Sequence, residues 1–138
     1  MQNSSTKWLI SPHTMIASGA AFAMLAVIFG AFAAHALKSM LDTYSLAIFD
    51  TAARYQLAHA IALVLLGLVA LTGQFTRRWL DFAAIAFLCG MLLFCGSLYL
   101  LAITGVKWLG AITPLGGLAF IAGWLALLIA ALKKPHAK

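Results

Sequence analysis

Acidic residues are almost absent. The 138-residue chain has no glutamate and only three aspartates, Asp42, Asp50 and Asp81, against nine lysines and arginines. None of the three falls inside a strongly apolar run, so the sequence offers no buried carboxylate pair for acid-base work or a proton relay. Cysteine is equally scarce. Cys89 and Cys95 lie six apart on one helical stretch, on different faces, which fits no metal or redox spacing, and both read as small apolar core residues. A phosphate-cradling glycine loop and a His-Glu-x-x-His pair are missing as well. We therefore expect no enzyme, no metal centre and no cofactor motif.

Charge of either sign is rare. The chain is 9% charged and 64% hydrophobic with a mean hydropathy of +1.04, far more apolar than a soluble domain of this size. So short a chain is one domain, residues 1–138, and its core cannot hide that many aliphatic groups from water. Lipid must be the solvent for much of the surface.

Four apolar segments follow one another, at about 14–34, 55–72, 80–103 and 108–132. Each is about 18 to 25 residues long and, at about 1.5 Å per residue, can cross a hydrocarbon core of roughly 30 Å. Their pattern is helical, and backbone groups in lipid must be satisfied internally. The expected fold is an all-α membrane protein, a bundle of four transmembrane helices. The first run ends in "AFAAHA", small residues that a signal peptidase could accept, but it is longer than a signal core and is read as a span.

Orientation follows from the flanking cations. Lys7, Arg77, Arg78, Lys133, Lys134 and Lys138 lie on the side of the termini, against Lys38, Arg54 and Lys107 on the other. That bias predicts both termini in the cytoplasm. The net charge of +6 is then anchoring and attraction to anionic lipid, not nucleic-acid binding. Between the first two spans, residues 36–53 carry Leu37, Leu41, Tyr44, Ile48 and Ala52 at three- and four-residue intervals. This pattern, which continues to Tyr55, predicts a separate amphipathic helix lying in the outer interface.

Small residues mark helix contacts. Gly19, Ala23, Ala26, Gly30 and Ala33 repeat along the first span, and Gly116, Ala119, Gly123, Ala126 and Ala130 along the fourth. These stripes allow close approach, and we expect them to meet each other or another subunit in a homo-oligomer.

Polar residues gather on the side away from the termini. His35 ends the first span, Gln56 and His59 share a face early in the second, Ser97 and Tyr99 approach the end of the third, and Thr113 with Pro114 opens the fourth. Arg54 reads as an interfacial anchor that snorkels. Pro114, followed by Gly116 and Gly117, either bends or unwinds the fourth span or sits in its first turn.

The stretches "GAFAAHALK", "FDTAARYQLAHAIAL", "LLFCGSLYLLAITG" and "WLGAITPLGGLAFIAGW" resemble, in order, the signature segments of the domain of unknown function 423 family, the YgdD-type small inner-membrane proteins. The likeness spans about residues 14–132. It implies a four-span bacterial plasma-membrane protein, related to a small eukaryotic transmembrane family, in a family without an assigned biochemical activity. The family-like positions are Gly30, His35, Tyr55, Gln56, His59, Gly96, Ser97, Tyr99, Gly110, Thr113, Pro114, Gly116 and Gly117. Family members often carry serine before "GSLYLL"; Cys95 stands there in this chain, so a hydroxyl at that point is not required.

Three functions fit these residues. One is a transporter, channel or small-molecule binding bundle with an outward cavity lined by His35, Gln56, His59, Ser97 and Thr113. The second is a structural or partner-binding membrane protein, in which the same groups tie helices or subunits together. The third is a redox protein using His35 and His59 on haem or a quinone.

Overall fold

The computed structural model describes residues 9–133, which are helical with short turns. Lys7, Lys134 and Lys138 lie outside the described residues. Four helices are long and apolar enough to cross a membrane: Pro12–Ser39, Thr43–Leu71, Arg77–Thr104 and Lys107–Leu132.

Each helix begins and ends where local chemistry dictates. Helix α1 (Pro12–His35) starts with a proline in its first turn, behind Ser11, whose hydroxyl accepts from the Thr14 N–H at 3.1 Å. Helix α2 (Thr43–Leu71) is capped by Asp42, whose carboxylate accepts from the Ser45 N–H at 2.8 Å. The turn to the third span uses Gly73 at φ +66°, a conformation that side chains resist. That span comprises α3 (Arg77–Gly90), a π-helical turn (Met91–Cys95) and α4 (Gly96–Thr104). Gly105, at φ +69°, ends it by donating to the Leu101 carbonyl. A 3₁₀ turn (Lys107–Ala111) leads into α5 (Thr113–Leu132). Pro114 lies in the first turn of α5, so no hydrogen bond inside the helix is lost to it.

The separate interfacial helix expected at 36–53 does not form. Only Leu37–Ser39 makes a short 3₁₀ turn, and from Thr43 the chain is already the second span. Asp42 supplies a start signal and neither glycine nor proline interrupts the run before Gly67, so one continuous helix results. Its 29 residues reach about 43 Å, longer than a hydrocarbon core of roughly 30 Å. A helix of this length crosses the apolar layer with room to tilt. The buried face there is Phe49, Ala52 and Ala53, while Tyr44 is exposed.

The helices associate as two tight pairs, α1 with α2 and α3 with α5, and α2 also touches α3, the π turn and α4. The small-residue stripes of α1 and α5 thus serve different partners, not each other. A Cβ on Gly19 would sit 2.8 Å from the Ala60 carbonyl oxygen, and one on Gly67 2.8 Å from that of Pro12, so glycine lets these backbones touch. In the second pair glycine faces phenylalanine three times: Gly123 against Phe87, Gly90 against Phe120, and Gly116 against Phe94. Gly116 fits onto the backbone of the π turn itself, where a Cβ would collide with the Phe94 nitrogen. Ala23 packs half-buried at the edge of the core, but Gly30 has open space above it and joins no helix contact.

The outer surface is apolar. Met24, Val27, Ile28 and Phe32 on α1 and Leu118, Ile121, Leu125 and Leu128 on α5 are exposed, as suits side chains whose solvent is hydrocarbon. Among the cysteines, Cys95 is in the core and Cys89 is exposed, so only the first meets the expectation.

Gly116→Ala should lower stability by about 1–3 kcal/mol through overpacking, read as a drop in thermal midpoint in detergent. Gly30→Ala should not destabilise, because nothing stands in the way. Equal behaviour of the two variants would contradict this packing.

Candidate functional site

A polar network runs through the bundle. Gln56, on α2 and 3% exposed, donates from Nε2 to the Phe22 carbonyl of α1 at 2.9 Å, and its Oε1 accepts the Tyr99 hydroxyl of α4 at 2.8 Å. One amide therefore joins three helices. Phe22 lies close to the middle of α1, so this junction is in the middle of the bundle, deeper than the early position of Gln56 in the predicted span suggests. Above it the Tyr99 ring packs on Phe29 and Phe49, with centroids 4.9 and 4.7 Å away.

His59 forms the second node. One turn below Gln56, it brings a ring nitrogen, Nδ1, to 2.7 Å from the Tyr55 carbonyl, and its Nε2 receives the Trp124 indole N–H of α5 at 3.1 Å. A carbonyl can only accept and an indole N–H can only donate. His59 is consequently the neutral tautomer with its proton on Nδ1, both nitrogens occupied. Its ring stacks on Phe120 at 3.6 Å and meets Phe87 edge-on at 5.6 Å. The α2 and α5 backbones share no extended contact, and these rings bridge the space between them.

Ser97 and Thr113 make the third node. Their hydroxyls are 2.8 Å apart, with the Phe94 carbonyl 3.1 Å from Ser97 Oγ and the Leu109 carbonyl 3.4 Å from Thr113 Oγ1. With one proton each, one hydroxyl donates to the other, which in turn donates to its carbonyl. The pair ties α4 to the start of α5, next to Pro114.

His35 does not join the network. It is exposed at the end of α1, and since residue 60 packs beside Gly19, about 24 Å of helix separates the level of His59 from His35. A shared haem or a quinone held by both is out of reach. Arg54 is exposed and pairs with Asp50 one turn earlier, consistent with an anchor.

Two participants escaped the sequence reading. Trp124 lies well inside a span, where tryptophan is less common than at membrane interfaces, and its N–H needs a partner; that was its available signal. Asp81, at the very edge of the third apolar run, is 3% exposed. Its Oδ2 accepts the Leu9 N–H at 3.2 Å and lies 3.4 Å from Arg77 Nε, while Oδ1 has no hydrogen bond among the described residues. The i, i+4 spacing of Arg77 and Asp81 was the clue. This pair pins the segment before α1 onto α3 at the end of the bundle that carries the termini.

Fold and site together define a class: a small multi-pass bundle whose apolar exterior faces lipid and whose few interior polar groups bond to one another. The model of a protein of unknown function, DUF423, matches residues 29–117. The chain belongs to this family, and it is a bacterial membrane protein of the UPF0382 group. It is 45% identical over 115 residues to a UPF0382 membrane protein of Staphylococcus epidermidis, covering 83% of this chain and 92% of the relative. UPF0382 membrane protein YwdK of Bacillus subtilis is 42% identical over 120 residues, with 83% of this chain and 93% of the relative covered. A Staphylococcus aureus relative is 41% identical over 115 residues, again covering 83% and 92%. No solved structure matches the chain significantly.

Tyr99→Phe should cost about 0.6–2 kcal/mol, the worth of one interhelical hydrogen bond in a membrane, measured by unfolding in mixed detergent. Combined with Gln56→Leu the losses should be less than additive, since the two groups share one bond. Strict additivity would show that the bond carries no energy.

Proposed function

We propose that the protein is a structural or partner-binding component of the bacterial inner membrane, not a carrier of polar solutes. One observation carries this reading: Gln56, His59, Ser97, Tyr99 and Thr113 each bond to a group on another helix, and the second ring nitrogen of His59 is taken by the Tyr55 carbonyl of its own helix. A transport site needs polar groups that are free to meet a solute, and these are engaged. The clefts of 420 and 440 Å³ lie elsewhere, around the first turns of α2. With His35 far from His59 and both His59 nitrogens in use, the redox reading loses its ligand pair as well.

In this proposal the network fixes the bundle and the work is done on its surface, by contact with lipid, with copies of itself or with another membrane protein. Self-association belongs to the same reading. So does a topology with both termini in the cytoplasm, which the sequence favours with six cations, Lys7, Arg77, Arg78, Lys133, Lys134 and Lys138, against three, Lys38, Arg54 and Lys107.

Cysteine accessibility tests the proposal. In a background lacking Cys89 and Cys95, Gln56→Cys and Ser97→Cys should stay unlabelled by a water-soluble maleimide applied from either side, while His35→Cys reacts. Rapid labelling at both interior positions would establish an aqueous cavity and restore the transporter reading.

A further inference from the structure

At the end of the bundle remote from the termini, the last turns of α1 and the first turns of α2 border a cleft of 420 Å³. Its floor is made of small residues, Gly30 and Ala34 of α1 and Ala47 of α2; its rim carries Lys38, Thr43 and Asp50. The volume is within the range of small-molecule sites, about 300–1,000 Å³.

Two features of the cleft call for an occupant from the membrane. A Cβ on Gly30 would meet nothing within 4 Å, so the floor is recessed without being filled by any neighbouring helix. The charges are also unbalanced. Asp50 is answered by Arg54, whereas Lys38 takes no hydrogen bond or ion pair among the described residues. The rim thus presents one uncompensated cation with a hydroxyl, Thr43, beside it. Gly30 lies five residues before the end of α1, about 7–8 Å deeper along the helix. A cation at the level of headgroups above an apolar trough at the level of acyl chains is complementary to one chemical class.

We propose that this cleft binds a membrane phospholipid, with its phosphate on Lys38 and the first part of an acyl chain along Gly30, Ala34 and Ala47. Both halves matter. Lysine next to the surface supplies attraction to phosphate, and the recessed floor lets a chain lie closer to the helices than bulk lipid can, where it gains van der Waals contact. The first turns of α2 form the wall that makes the site a cleft instead of an open helix face.

Native mass spectrometry of the full chain from a mild detergent, titrated with dioleoyl phosphatidylglycerol and with dioleoylglycerol, tests this directly. The phospholipid should be retained as a discrete adduct and the diacylglycerol, lacking phosphate, more weakly. Lys38→Ala should weaken phospholipid binding about fivefold, the effect of one lysine beside a lipid surface, and leave diacylglycerol unchanged. Gly30→Leu, which fills the trough without a collision, should weaken both. Lys107→Ala, at the same end but outside this cleft, should alter neither. Equal retention of the two lipids, a loss with Lys107→Ala matching that with Lys38→Ala, or no effect of Gly30→Leu would each overturn the proposal. A dimer that Gly30→Leu converts to monomer, without a lipid adduct, would assign the cleft to a second copy of the chain and also overturn it.

Discussion

Everything in this bundle answers to the absence of water in its interior. A primary amide such as that of Gln56 brings donors and an acceptor into a medium that offers none, and leaving either unmet costs several kcal/mol. The chain meets the demand with groups that would otherwise share the problem: a mid-helix carbonyl at Phe22 and the phenol of Tyr99. His59 is handled in the same manner, between the Tyr55 carbonyl and the Trp124 indole. Because Phe22, Tyr99 and Trp124 each sit on another helix, satisfying these polar groups also fixes the helix arrangement.

Packing supplies the second half of the constraint. With lipid outside, burial of apolar area does little to hold helices together, and close contact must do so. Each tight pair uses glycine for this, Gly19 and Gly67 between α1 and α2, and Gly90, Gly116 and Gly123 between α3 and α5. The π turn at Met91–Cys95 is understandable in this light. It shifts the register of the third span so that Phe94 presents its backbone to Gly116, and the Ser97 hydroxyl returns a hydrogen bond to the Phe94 carbonyl. The two pairs are then joined mainly by polar and aromatic side chains, which set the fine position of one against the other.

Most of the architecture was legible because hydropathy in a membrane protein is a direct readout of solvent. The four spans and the interior positions of Gln56 and Ser97 could be read from period and position. The failures share a cause: each depended on which helix lies next to which. Small-residue stripes on α1 and α5 announce close contact but do not name the partner, and the structure assigns them to α2 and α3. His35 shared a predicted side with His59 without sharing its depth. Residues 36–53 have an amphipathic period, yet whether such a segment lies flat or stands upright is decided by its connection to the next helix, and Asp42 makes that connection continuous. Asp81 looked like a surface acid because its cover, the backbone of Leu9, is seventy-two residues away in sequence.

The two ends of the bundle are built differently, and that difference bears on where activity resides. At the end with the termini, Asp81 clamps the chain before α1 onto α3, and Lys133 sits over the Trp79 ring at 5.0 Å, next to a cleft of 370 Å³ lined by Leu9, Arg78, Trp79, Phe82 and Ile85. At the other end, Ala33, Leu37 and Phe49 pack α1 against α2, and charged residues stand around clefts of 420 and 440 Å³. Gln56, His59 and Tyr99 tie the middle of the bundle together through hydrogen bonds between helices, so the helices at either end extend from one fixed junction. On the structural or partner-binding reading proposed above, recognition falls to the surface, because these mid-bundle groups already bond to one another and to the backbone.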